Sequence, residues 1–311
     1  NRRRKTMNDN IIEMKGVSRS FDKVQAVREL DLTVPRGCIY GFLGRNAAGK
    51  TTTIKMLAGL IRADEGSVKV VGADPWEFTV EDKRKVGYVS EKEMLPPPMR
   101  VGALVKFCAQ FYPDWDHGLV ERVLKRFRID PKSKVKTLSL GQNRQLALLL
   151  ALAQRPELLL LDEPAGGLDV VARREFLEEI LELIREEGRT IFFSSHILSD
   201  VERVADQIGI LANGSLRFNE SLDTLKETVK QVRFFGAENG FKTFAPPDAF
   251  RIRREKNEAL VTLRVQAETD LAEIAGQHGC QFEIRDLNLE DLFYELVRDS
   301  GDDAVEAYTG S

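Results

Sequence analysis

Apolar residues recur along this 311-residue chain with two periods. Short apolar or alternating runs bounded by turn residues predict strands at 11–14, 30–34, 38–43, 67–72, 86–89, 158–161 and 190–193. Helical spacing appears at 52–58, 146–153 and 170–187, the last capped by Asp169 and ended by Gly188. Leu95-Pro96-Pro97-Pro98-Met99 then breaks the pattern ahead of a helical region over 101–128. Val101, Leu104 and Val105 make one apolar face there, and Leu119, Val123, Leu124 and Phe127 another. Strands alternating with helices predict a mostly parallel α/β sheet, with the helical region as an inserted subdomain.

The pattern changes after residue 228. Strands are expected at 231–235, 250–253 and 260–265, the last two forming a hairpin around Lys256-Asn257-Glu258. A helix at 268–277, a strand at 281–285 and a helix at 289–298 complete a small α+β appendage. The aromatics of Phe111-Tyr112-Pro113-Asp114-Trp115 lack interleaved basic residues, so they read as packing and not as a base-stacking platform.

Composition narrows the function. A net charge of −3 gives no global basic field, so nucleic acid is not an expected partner. The apolar runs fall short of the roughly 18 residues that span a bilayer, so the chain is expected to be soluble or peripheral. Cys38, Cys108 and Cys280 show no metal spacing and read as reduced cytosolic thiols. Arg2-Arg3-Arg4-Lys5 is not followed by the apolar stretch of a secretory signal. Residues 1–10 are expected to be flexible.

The chemistry begins at Gly44-Arg45-Asn46-Ala47-Ala48-Gly49-Lys50-Thr51-Thr52, which fits G-x-x-x-x-G-K-[ST]. A strand precedes it and a helix follows. Backbone N–H groups of such a loop bind phosphate oxygens, with Lys50 reaching the terminal phosphates and Thr51 placed to ligate Mg²⁺. Leu158–Leu161 leads into Asp162-Glu163, two carboxylates at the end of a buried strand. Asp162 can hold Mg²⁺ directly or through water, and Glu163, on the other side of the strand, can polarise an attacking water. Leu138-Ser139-Leu140-Gly141-Gln142 opens an apolar helix whose N-terminus suits a γ-phosphate.

These motifs, with Gly167-Leu168-Asp169 and His196 following in order, resemble the nucleotide-binding subunit of an ABC transporter over about 11–225. The resemblance implies a P-loop NTPase core with a mixed, mostly parallel sheet. It also implies an N-terminal antiparallel β subdomain, a helical subdomain at about 95–140, and an ATPase domain over 11–228. An accessory domain would occupy 229–311, with a flexible tail after about 299. It further implies adenine stacking by Phe21 and a switch role for His196 at the γ-phosphate. Asp169 would communicate across a dimer, and Ser139, Gly141 and Gln142 would act on ATP held by the other protomer. The implied cofactors are ATP and Mg²⁺. The implied partners are a second copy or a similar ATPase subunit and a separately encoded integral membrane permease, of exporter type. The implied location is the cytoplasmic face of the inner or plasma membrane.

Five positions depart from the family pattern. Ala47 replaces a glycine, at a cost on the order of 1 kcal/mol if φ is positive there. Glu91 stands where the family has a metal-contacting glutamine. Leu140 replaces a signature glycine, and Arg144-Gln145 inverts the usual order; these last two are expected to leave function intact. Two other classes compete: a soluble ABC ATPase acting on DNA or the ribosome, and a module that binds ATP but barely hydrolyses it. The first is disfavoured by the lack of sustained heptads between Lys50 and Asp162. The second is disfavoured by intact Lys50, Asp162, Glu163 and His196.

Overall fold

The computed structural model describes residues 10–92, 95–170, 173, 174, 176, 188–237 and 240–297. Most of the helix expected over 170–187, the leading basic run and the tail after 299 lie outside these. The chain divides into two compact units, Asn1–Asn219 and Glu220–Ser311.

In the first unit β1 (Asn10–Phe21) and β2 (Val24–Pro35) form a long antiparallel hairpin. After β3 (Ile39–Gly44) and α1 (Lys50–Leu57), β4 (Glu65–Val70) pairs antiparallel with the free side of β1. A second sheet has the order β5-β6-β7-β3-β8-β9. It comprises β5 (Val86–Val89), β6 (Leu158–Asp162), β7 (Thr190–Ser195), β8 (Gln207–Ala212) and β9 (Ser215–Ser221), besides β3. Every pairing from β5 across to β8 is parallel. All residues of β3, β6 and β7 are buried, as expected for parallel strands covered on both faces. That burial explains why they read as continuous apolar runs.

Between β5 and β6 the chain makes α3 (Val101–Ala109), α4 (His117–Arg126) and α5 (Leu140–Ala153), after the short α2 (Val80–Arg84). Trp115 is buried beside Tyr112, whereas Phe107 and Phe111 are exposed and meet edge to face. The elements of this unit absent from the sequence expectation include α2, α6 (Leu198–Val204), β8 and β9. The last two flank Asn213-Gly214, with φ of 50° and 81°, an Asn-Gly hairpin signal that was legible.

The second unit holds α7 (Leu222–Thr228) and an antiparallel sheet in the order β11-β12-β10-β13. Its strands are β10 (Val229–Phe235), β11 (Ala249–Arg254), β12 (Glu258–Arg264) and β13 (Gln281–Arg285), with helices α8 (Glu268–His278) and α9 (Leu289–Val297). Phe234, Phe241, Phe244, Val261 and Leu271 centre its core.

Candidate functional site: a phosphate-loop cleft

The register of the parallel strands assembles the site. Leu43 of β3 lies opposite Ser195 of β7, and Asp162 of β6 lies opposite Ser194. The carboxyl ends of three neighbouring strands therefore deliver the phosphate loop, the acidic pair and His196 to one rim. Ligands of open α/β sheets bind at such a rim.

The loop between β3 and α1 is shaped by close approach. A Cβ on Gly49, at φ 108°, would lie 2.4 Å from the Ala26 carbonyl oxygen, so only glycine fits. Ala47 sits at φ 64°, so the condition for strain at this position is met. Lys50 is buried and donates to the carbonyl oxygens of Gly44 (2.8 Å) and Arg45 (3.3 Å). Its Nζ also lies 3.4 Å from Glu163 Oε1.

Thr51 Oγ1 donates to Asp162 Oδ1 at 3.2 Å, and Ser194 Oγ donates to the same oxygen at 2.8 Å. Ser194 in turn accepts from the Glu163 backbone N–H at 2.9 Å. Asp162 is buried, and its Oδ2 has no hydrogen-bond partner. Burial pushes its pKa up; bonds from Ser194 and Thr51 oppose this, while Glu163 and Glu91 add to it. An orphaned carboxylate oxygen beside the Thr51 hydroxyl, in negative surroundings, fits a hard divalent cation. Among the described residues no group of three or more His, Cys, Asp or Glu could hold a metal. A cation here would thus share its shell with phosphates and water, as Mg²⁺ does in nucleotide sites.

Glu163, at φ 47°, is held in a left-handed conformation. Such strain costs on the order of 1 kcal/mol or more and persists where surrounding structure enforces it. Its Oε2 meets His196 Nδ1 at 2.8 Å. Glu163 and His196 line one cleft of about 1080 Å³ with Asn46, Ala47, Ala48, Gly49, Lys50, Thr51 and Thr52. Glu91, Leu140, Arg144, Gly166 and Gly167 also line it, as do Val24, Gln25, Ala26 and Arg28.

Several predicted residues stand outside that lining. Gly44 and Arg45 offer carbonyls to Lys50 from behind the loop. Phe21, at the end of β1, is half exposed with the Arg19 guanidinium 4.8 Å from its ring centre; the lining begins at Val24. Ser139 and Gln142 spend their side chains on a reciprocal cap of α5. Gly141 packs toward Leu168, and Asp169 is exposed. Among the residues that sequence reasoning missed are Arg144, which lines the cleft, and Ser194, which is buried and bonded to Asp162. Ser194 carries a weak signal, two residues before the histidine. The Arg144-Gln145 inversion was expected to lie away from the Ser139 and Gly141 contact set and to leave function intact, yet Arg144 lines the cleft.

A phosphate loop, an acidic pair on the next strand but one, and a histidine on the strand between define a nucleotide triphosphatase. Comparisons with known proteins give its family. The ABC transporter family model matches residues 27–166. The chain is 33% identical over 223 residues to the ABC transporter ATP-binding protein YtrB of Bacillus subtilis (strain 168), covering 72% of this chain and 76% of that one. It is 35% identical over 219 residues to the bacitracin transport ATP-binding protein BcrA of Bacillus licheniformis, covering 70% and 72%. A solved structure of an ATP binding subunit of an ABC transporter superposes with a TM-score of 0.62 at 26% identity, over 70% of this chain and 92% of that one. The chain belongs to the ABC transporter family, as an ATP-binding subunit.

Proposed function

We propose that the cleft binds Mg²⁺-ATP and that two such sites close together, on a second copy of this chain or a similar subunit, to drive a separately encoded exporter permease. The observation that carries the reading is the contact of Glu163 with His196 and Lys50 at the phosphate loop. Lys50 leaves the loop carbonyls and Glu163 for the terminal phosphates. The backbone N–H groups at the start of α1 hold the phosphate oxygens. Glu163 then takes a proton from water as the water oxygen bonds to the γ-phosphorus. The bond to the β–γ bridging oxygen breaks, and its electrons leave with ADP. His196 orients Glu163 through Nδ1 and presents its other nitrogen to the γ-phosphate.

Thr51 and Asp162 would hold Mg²⁺, with Glu91 near, and the ion would supply charge neutralisation of the phosphates. At the capped end of α5, Leu140 lines the chain's own cleft whereas Ser139, Gly141 and Gln142 do not. That placement supports action on ATP of the facing subunit, with Asp169 beside it. Phe21 stacks on adenine beside Val24. No described helix is long and apolar enough to cross a membrane; the proposed place is the cytoplasmic membrane face, held by the permease. The ATPase domain is proposed to span 11–228 and the accessory domain 229–311.

The test is Mg²⁺-dependent ATP turnover by the purified chain across protein concentration, beside Glu163→Gln. Turnover rising cooperatively with concentration supports the dimer. Folded protein that binds no ATP rejects the reading.

A further inference from the structure

The geometry points to Arg144 as a second cation, besides Lys50, that reads the terminal phosphate of ATP bound in its own chain. The inference rests on the cleft holding ATP, as proposed above, and gives that site a discriminating residue.

Arg144 lies on the first turn and a half of α5, whose N-terminus is folded against the loop after Glu163. A Cβ on Gly167 would lie 3.2 Å from Leu140 Cδ2, and one on Gly166 would lie 3.9 Å from Arg144 Nη2. The guanidinium therefore sits between that loop and the segment carrying Glu91. Its Nη2 donates to the Glu91 carbonyl oxygen at 2.9 Å. Its Nε is buried with no partner, and the residue lines the cleft with Lys50, Thr51, Glu163 and His196. An arginine has five donors in a fixed fork that matches phosphate oxygens.

Charge around the cleft calls for such a group. Glu91, Asp162 and Glu163 bring three carboxylates to the place where a terminal phosphate adds more negative charge. Lys50 is the buried cation there, one positive charge against those three carboxylates. Lys92 and Arg28, the other basic side chains lining the cleft, are exposed, and their charge is screened by water. Arg144 is half-buried. Burial lowers its pKa, and Glu91 and Glu163 oppose that loss. A partly desolvated guanidinium acts more strongly on a nearby anion than an exposed one does. The hydrogen bond to Glu91 holds the fork in place, so little side-chain freedom is lost when phosphate arrives. ADP ends short of this group, so the contact separates the two nucleotides.

The experiment is equilibrium binding of fluorescent ADP and of a non-hydrolysable fluorescent ATP analogue to the full chain, with excess EDTA and again with Mg²⁺. Wild type, Arg144→Gln, Arg144→Lys and Glu91→Gln/Arg144→Gln are compared. Arg144→Gln is expected to weaken the ATP analogue about tenfold or more and ADP less than about twofold, in both conditions. Arg144→Lys should fall between, and the loss should shrink in the double variant, where one carboxylate is gone. Equal weakening of both nucleotides, or none, overturns the assignment and leaves ATP binding standing. Wild-type protein that binds neither nucleotide overturns the ATP reading itself.

Discussion

Among the described residues two carboxylates are buried, Asp162 in the first unit and Glu295 in the second. Their surroundings are opposite. Glu295 is closed in by the Arg253 guanidinium, by Arg251 at 3.7 Å and by the Thr262 hydroxyl at 3.2 Å. Both arginines also lie over the ring of Tyr294. Asp162 has two hydroxyl donors on one oxygen, none on the other, and two carboxylates nearby. One anion is neutralised by the fold; the other lacks a cation that the fold does not supply. A buried charge left short in this way marks a site that binds something, whereas a compensated one marks structure.

The sharpest test of this contrast is catalytic. Glu163→Gln should lower ATP turnover by about 10² to 10⁴-fold, the range for removing a general base. Glu295→Gln should leave turnover within about twofold, because its partners all lie in the second unit; a large loss would erase the distinction. Next is stability. Glu295→Ala removes the carboxylate that Arg251 and Arg253 share and should cost about 3–5 kcal/mol of unfolding free energy in the second unit, read by denaturant melts. Replacing Glu295 and Arg251 with Leu and Met should restore most of it.

The third test concerns Asp162. Its folded pKa is raised above the ordinary 3.8, so its folded state keeps the proton longer than the unfolded chain does. That contribution to stability is full below 3.8 and is lost as pH rises through the raised value. Nucleotide-free wild type should therefore lose stability over that interval, and Asp162→Asn should flatten the profile. Mg²⁺-ATP at about 100 times its Kd should add about 2.7 kcal/mol to wild type. Asp162→Asn should lose most of the Mg²⁺-dependent part, seen in thermal melts with and without EDTA. The smallest expected effect is at Ala47. Ala47→Gly should relieve about 1 kcal/mol of left-handed strain and tighten ATP binding a few-fold; an unchanged Kd would count against strain there.

The phosphate loop, the acidic pair and the strand order of events along the chain were legible because each is a local pattern. The β3–loop–α1 unit needs a few contiguous residues of the right kind, and continuous apolar runs announce buried parallel strands. The second unit was readable for the same reason: its hairpin and flanking helices follow period and turn residues. Ala47 at positive φ was foreseeable from the motif. Its neighbour in effect, Glu163, also sits at positive φ, and nothing in Leu161-Asp162-Glu163-Pro164 announced that.

What the sequence determined by itself was the set of chemical groups and the elements that carry them: lysine after a glycine loop, carboxylates ending a strand, histidine ending another. Tertiary structure decided which of them touch. Ser194 reaches Asp162 across 32 residues and Arg144 reaches the Glu91 carbonyl across 53. The first contact follows from β7 lying beside β6 in register, the second from α5 folding back on the cleft. Neither partner can be read from spacing, because long-range contacts are set by how buried faces pack and not by the order in which residues are joined.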